Sequence, residues 1–355
     1  MITNIEVNKP KPIPFDENLK HFEHGIAVES TIKGLKQGIP IQINELYSDG
    51  IGLLKDIHKF LKRTLPNTSY LEQNTYRSEY HKLSNLILLE IVDQKLCVKK
   101  SPSIGWLEKF YPENNHFFLT FPQIQGLNSA WQWYENGISI PVLRNKMHPY
   151  YGTYFPTRFE HLMLFDNWLK RYEGPKKTAI EVGVGCGVLS LQMIQHHFQK
   201  VFATDINPNA IFGLSEFMGT TKLSRKMELD FGHLFGKWEK QTELIVFNPP
   251  WMPKSHTLGS IDTAIYYNNT LFLEFFIAAK KRLLPEGKLI LIFSNLAQIT
   301  NVTTKHPIEI ELAEGNRFQL ERCFKKSVKA ASSKTKRNQY WRSTEEVELW
   351  VLTHI

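Results

Sequence analysis

The chain has 355 residues, 42% of them hydrophobic, enough to bury a sizeable core and to form two domains. It carries 43 Lys and Arg against 35 Asp and Glu, and its three cysteines form no Cys-x-x-Cys pair, so neither a disulfide framework nor a zinc site is indicated. The first residues show no basic flank leading into an apolar segment, and no apolar run reaches the ~20 residues that span a bilayer, so the expectation is a cytoplasmic protein without a membrane span.

Residues 1 to about 45 are weakly patterned, with Pro10, Pro12 and Pro14 disfavouring an early helix, and order is expected to begin after them. Residues 49–65 place Ile51, Leu53, Leu54, Ile57, Phe60 and Leu61 at helical spacing, and residues 69–83 suit a second helix. Residues 86–98 read as a hairpin around Asp93-Gln94, and 117–121 as a short strand. Residues 131–142 carry a further hairpin signal, because Asn136-Gly137 accommodates the positive φ angles of a tight primed turn.

From Tyr154 onward, strands and helices alternate. A helix over 158–172 precedes a strand over 178–182, and a glycine turn leads into a helix over 188–197. A strand over 200–204, a helix over 208–218 and strands near 226–231 and 243–247 follow. After a helix over 270–284, Pro285-Glu286-Gly287 breaks the pattern before a strand over 289–293. Strands over 318–327 and 346–353 complete the chain. This alternation implies a parallel sheet with ligands bound beyond the carboxyl ends of its strands.

Two segments fall at that edge. Glu181-Val182-Gly183-Val184-Gly185-Cys186-Gly187 has the form of a glycine-rich turn between strand and helix, where missing side chains let a ligand approach the backbone. Asn248-Pro249-Pro250-Trp251 ends another apolar run. Its two prolines make a stiff turn that holds the Asn amide and a neighbouring carbonyl toward one point, beside an aromatic plane, an arrangement suited to a planar NH2 group. Cys186 reads as a small residue in a tight turn. His148, His161 and His256 lack metal-ligand spacing and read as surface or packing residues.

With these segments in place, residues 131–355 resemble the class I S-adenosylmethionine-dependent methyltransferases, and within them the HemK-like branch of the small-methyltransferase group. The resemblance implies a Rossmann-like seven-stranded α/β sheet over residues 154–355. It is preceded by an amino-terminal α+β substrate-recognition domain (1–130) and a linking hairpin (131–153). It further implies S-adenosylmethionine as cofactor, with Glu181, Gly183, Gly185 and Gly187 under its methionine part and Asp205 on the ribose hydroxyls. Asp230 or His233 would lie beside adenine, where the family usually has Asp in a Gly-Asp-Leu-Phe stretch and this chain has Gly232-His233-Leu234-Phe235. Asn248 to Trp251 matches the family's Asn-Pro-Pro-Tyr motif, with Asn248 also near the cofactor, Asn248, Pro249, Pro250 and Trp251 catalytic, and Tyr154, Pro156 and Trp251 on the substrate. No metal is required.

The activity implied is N-methylation of a planar NH2 group, foremost a protein glutamine amide. An exocyclic amine of RNA or DNA is the main alternative; a small-molecule amine, or cofactor binding without turnover, is another. Charge bears on the choice of partner. Arg322, Lys325, Lys326, Lys329, Lys334, Lys336, Arg337 and Arg342 lie in one stretch without an acidic residue and account for the chain's whole net charge of +8. With Tyr340 and Trp341 at its far end, such a loop suits nucleic acid, an acidic protein partner or plain solvation.

Overall fold

The computed structural model describes residues 5–23, 28–66, 70–253, 266–329 and 344–355. The chain divides into two compact units, Lys9–Asn136 and a larger one of Met1–Asn8 with Gly137–Ile355.

The Lys9–Asn136 unit is α+β. In chain order it contains β1 (Ile13–Pro14), β2 (Lys20–His21), α1 (Val28–Lys36), β3 (Ile41–Ile43), α2 (Tyr47–Thr64) and α3 (Tyr70–Ser84), then β4 (Ile87–Val92), β5 (Lys95–Leu96), α4 (Gly105–Phe110), β6 (His116–Thr120) and α5 (Phe121–Asn136). The sheet order is β1-β6-β4-β3-β2, with β5 paired to β4. The α2 helix buries Leu53, Leu54, Ile57 and Leu61 on one face, and Asp49 closes its first turn by accepting from the Leu46 N–H at 3.0 Å. The β4–β5 hairpin turns at Asp93 and Gln94, with φ of 46° and 60°, the double positive of a primed turn.

Two expectations fail here. Order does not wait until residue 45, since α1 buries Ile32 and Leu35 while β1 and β2 pair with β6 and β3. Two-residue strands and a two-residue apolar contact are too short to show as periodicity. Nor do residues 131–136 form a hairpin strand. They are the last turns of α5, which buries Phe121, Ile124 and Leu127. Trp131 and Tyr134 lie 5.5 and 4.7 Å from the Trp106 ring, and Gly137, at φ 66°, follows the helix instead of turning a hairpin. A glycine with positive φ serves both purposes, so local sequence does not separate them. What remains of the expected linking hairpin is one antiparallel bridge, Ile138 to Met147, and the unit boundary falls at Asn136/Gly137, not at 130/131.

The larger unit runs α6 (Glu160–Leu169), β7 (Thr178–Val182), α7 (Val188–Gln195), β8 (Lys200–Asp205), α8 (Pro208–Gly219), β9 (Met227–Phe231) and β10 (Thr242–Phe247), followed by β11 (Met252–Pro253) and β12 (Tyr266–Tyr267). Then come α9 (Leu271–Arg282), β13 (Leu283–Ser294), α10 (Leu296–Ile299), α11 (Pro307–Ile310), β14 (Phe318–Ser327) and β15 (Glu346–His354). Seven strands form one Rossmann-like α/β sheet in the order β14-β15-β13-β10-β7-β8-β9. The sheet is mixed, not wholly parallel: β15 runs antiparallel to both β13 and β14.

Strand alternation builds a core on each face. Leu244 and Val246 pack with Leu162, Phe165 and Met193 on one side, while Ile245 and Phe247 pack with Phe272, Phe275 and Phe276 on the other. Pro285-Glu286-Gly287 does not precede the strand but lies inside β13, where the register slips between Thr242↔Leu283 and Leu244↔Lys288, as a bulge allows. No helix among the described residues is long and apolar enough to cross a membrane.

Candidate active site

The chain leaves β7 toward β8 and β9, then returns on the other flank of β7 as β10. This is the switch point at which an open α/β sheet leaves a crevice at its carboxyl edge. Parallel pairing sets Val182 opposite Thr204 on one side and Phe247 on the other. The next residues along the three strands are Gly183, Asp205 and Asn248. Three loops therefore start at one level.

The glycine turn keeps Gly183, Gly185 and Gly187 at φ of 69°, 51° and 87°, a region disfavoured for residues with a Cβ. They are not equivalent. A Cβ on Gly187 would lie 2.6 Å from the Leu214 side chain, so this glycine lets α7 start against α8 and does not line the cavity. Asp205 pins the turn from the neighbouring strand: one carboxylate oxygen accepts from the Gly185 N–H at 2.7 Å, the other from the Asn207 N–H at 2.8 Å. Asn207, not Asp205, caps α8, accepting from the Asn209 N–H at 3.1 Å.

A cavity of about 700 Å³ opens over these strand ends, the size of a small-molecule site. Glu181, Gly183, Gly185, Asp205 and His233 line it together with Asn248, Pro249, Pro250, Trp251, Tyr154 and Pro156. Asp230 does not. Its carboxylate accepts from the Lys237 N–H at 2.7 Å, closing its own turn, while His233 reaches the cavity and pairs with Glu274 at 2.9 Å. At the Asn-Pro-Pro-Trp loop, the Trp251 indole N–H donates to Asn248 Oδ1 at 3.1 Å. A donor on one side of the oxygen holds the amide plane and leaves another lone pair for a ligand.

Burial sets the electrostatics. It pushes the Glu181 carboxyl up to about 8, against the hydrogen bond from the Ser190 hydroxyl that favours the charged form. Asp205 is also raised by burial, opposed by the N–H groups of Asn207, Gly185 and Ile206. The same effect lifts Cys186 to about 12, leaving it a thiol.

Several cavity residues had no signal as site residues. His161, read as a surface or packing residue, is 3% exposed in α6 and lies edge-on to Trp251, with ring centroids 5.7 Å apart and planes at 90°. Burial drives its imidazole down to about 4, so the ring is neutral. Beside it Glu160 accepts from the N–H groups of Phe159 and Lys329 at 3.2 and 3.3 Å. Arg158 pairs with the buried Glu345 at 3.1 Å. Tyr266, Val328 and Val347 also line the wall. Only the spacing of His161 with Leu162 and Phe165 on an apolar helix face hinted that it points inward.

The chain is similar in part to several known proteins. Residues 163–321 match the family model described as the methyltransferase small domain. A Methanocaldococcus jannaschii protein named "Putative protein N5-glutamine methyltransferase" is 29% identical over 120 residues, covering 33% of this chain and 56% of that protein. The match thus spans little more than half of the relative's length. Among solved structures, the ribosomal protein L11 methylase of Lactobacillus delbrueckii subsp. bulgaricus aligns at 18% identity and a TM-score of 0.39, over 62% of this chain and 92% of that one. The M. jannaschii tRNA m1G37 methyltransferase aligns at 16% and 0.38, over 57% and 51%.

The buried neutral His161 makes stability pH-dependent in a definite direction. Its folded value of about 4 lies below the ordinary 6.5, so between these the unfolded chain binds the extra proton and stability falls as pH drops. The melting temperature of His161→Phe is expected to decline less steeply than that of the parent between pH 6.5 and 4. Parallel curves in calorimetric scans would show that the ring titrates normally in the fold.

Proposed function

We propose that this chain is an S-adenosylmethionine-dependent N-methyltransferase acting on a planar NH2 group, foremost the side-chain amide of a protein glutamine. The observation that carries the reading is the pairing of Val182 with Phe247, which brings the glycine turn and the Asn-Pro-Pro-Trp loop over one cavity. The match to the methyltransferase small domain and the similarity to a protein named for glutamine methylation support it.

The residues suit the cofactor. Gly183 and Gly185 leave the backbone approachable, and Asp205 retains lone pairs on both oxygens for two vicinal ribose hydroxyls after its bonds to Gly185 and Asn207. Glu181, neutral below about pH 8 in the free protein, can ionise beside an incoming ammonium group. Of the two candidates for the adenine side, His233 lines the cavity and Asp230 does not, which favours His233. When bound, the cofactor supplies a methyl group activated by a sulfonium.

The chain's own work is to aim a nitrogen lone pair, so positioning and electrostatics dominate. Asn248 Oδ1 and the Pro249 carbonyl accept the two N–H hydrogens, drawing the nitrogen out of conjugation and stabilising charge that develops on it. Trp251 holds the Asn248 amide through its indole N–H and offers its ring face to the planar group, an attraction that grows with that charge.

A second reading, an exocyclic amine of RNA or DNA, draws on one placement. The core of the basic stretch, Lys334, Lys336, Arg337 and Arg342, lies outside the described residues, but the residues that bracket it, Val328 and Glu345, line the same cavity. Phosphates gripped there would lead a strand toward the site.

Asp205→Ala is expected to lose ~2 to 4 kcal/mol of S-adenosylmethionine affinity, the scale of two hydrogen bonds to a charged group. Unchanged affinity by titration calorimetry would remove Asp205 from the ribose. Asn248→Ala should keep cofactor affinity while single-turnover transfer falls roughly a hundredfold or more, the typical loss of one preorganised polar group. Normal transfer in that variant would mean the nitrogen is oriented elsewhere. Neutralising Lys334, Lys336 and Arg337 separates the substrates: if the stretch holds phosphates, the salt slope of nucleic-acid binding falls by about one unit for each phosphate that is no longer neutralised. A glutamine enzyme keeps its transfer to a nuclease-treated fraction and loses it when that fraction is proteolysed.

A further inference from the structure

His161 takes no part in the scheme above, yet it occupies the cavity wall beside Trp251. The other buried or half-buried histidines described in this unit have polar partners: His306 has Glu348 at 3.1 Å, His196 has Asp166 at 2.8 Å and His354 has the Leu283 carbonyl at 2.9 Å. His161 is different. Among the described residues none donates to its ring or accepts from it, although the residue is 3% exposed. Its ring nitrogens are not sealed in the packed core but reach the cavity, where a ligand can pair with them. Its helix neighbours Leu162, Phe165 and Leu169 are all apolar, so packing alone would be served by Phe at this position.

The polar partner is then most simply a group that enters the cavity. A neutral imidazole offers one N–H and one acceptor nitrogen. In the proposed reaction both hydrogens of the substrate NH2 are taken by Asn248 and Pro249, so the unpaired atom of an amide is its carbonyl oxygen. We propose that His161 is a substrate-recognition residue whose ring N–H donates to the carbonyl oxygen of the side-chain amide held at the Asn-Pro-Pro-Trp loop. The inference rests on the N-methyltransferase reading. It also gives neutrality a purpose: a cationic donor on that oxygen would draw the nitrogen lone pair into the carbonyl and weaken its attack, whereas a neutral one orients the amide with less withdrawal. An alkylammonium has no acceptor next to its nitrogen, so it would leave the ring N–H unpaired and be disfavoured.

The test uses the full chain with S-adenosylhomocysteine bound, titrated with acetylglutamine methylamide, adenosine or butylamine. Long-range 1H–15N spectra of the imidazoles, with the His161 signal assigned by its loss in His161→Gln, read the contact directly. The amide probe should shift that signal, and butylamine should not. In transfer assays His161→Phe should raise KM about tenfold, the scale of one neutral hydrogen bond, with a smaller change in kcat. S-adenosylhomocysteine affinity should stay unchanged, and His161→Gln, which keeps an N–H donor, should recover part of the loss. A His161 signal unmoved by the amide, or an unchanged KM in His161→Phe, overturns the proposal; a shift with adenosine alone overturns the amide assignment in favour of a base. If the parent protein itself fails to bind S-adenosylhomocysteine or to transfer methyl groups, the underlying reading fails instead, and the spectra are not needed to say so.

Discussion

The parallel register of β8, β7 and β10 is the constraint on which the site depends. Because Thr204, Val182 and Phe247 are register partners on adjacent parallel strands, the residues after them emerge at one level. A slip of one residue in the β10–β7 pairing would turn alternate side chains to the opposite face and put Leu244 and Val246 among the phenylalanines of α9. The two buried faces thus hold the register. The register in turn fixes the distance between the glycine turn and the Asn-Pro-Pro-Trp loop, although a long stretch of chain separates them.

The loops are then tied to one another by polar contacts. Asp205 holds Gly185, the Gly232 N–H donates back to the Asp205 carbonyl at 3.0 Å, and the Thr204 hydroxyl holds the Leu234 carbonyl. A carboxylate that orders two loops while keeping acceptor capacity is preorganised for a ligand: the conformational cost is met in folding and not again on binding. Desolvation works in the same direction. It leaves Glu181 and His161 uncharged in the free protein, so neither sets a fixed charge against a ligand that brings its own.

Where local sequence and structure part company, the cause is a signal with two physical solutions. Asn136-Gly137 can turn a hairpin or end a helix, and the choice was made by Trp131 and Tyr134 packing on Trp106. Pro285-Glu286-Gly287 can break a helix or bulge a strand, and here both occur: α9 stops at Arg282 and β13 continues through the bulge because β10 pairs on either side of it. Gly187 looked like a third ligand-facing glycine, but its missing Cβ makes room for Leu214.

By itself the sequence determined the alternation of strands and helices in the larger unit, because each has a hydrophobic period long enough to read. It also determined the two loops at the sheet edge, because glycine and proline act through backbone sterics that need no tertiary context. Tertiary structure decided what depends on contacts between distant segments. It turned Asp230 onto its own backbone and left His233 at the cavity, laid the Trp251 indole on Asn248, and buried His161 where an apolar helix face meets a loop far along the chain. Such placements follow from packing, and packing has no one-dimensional signature.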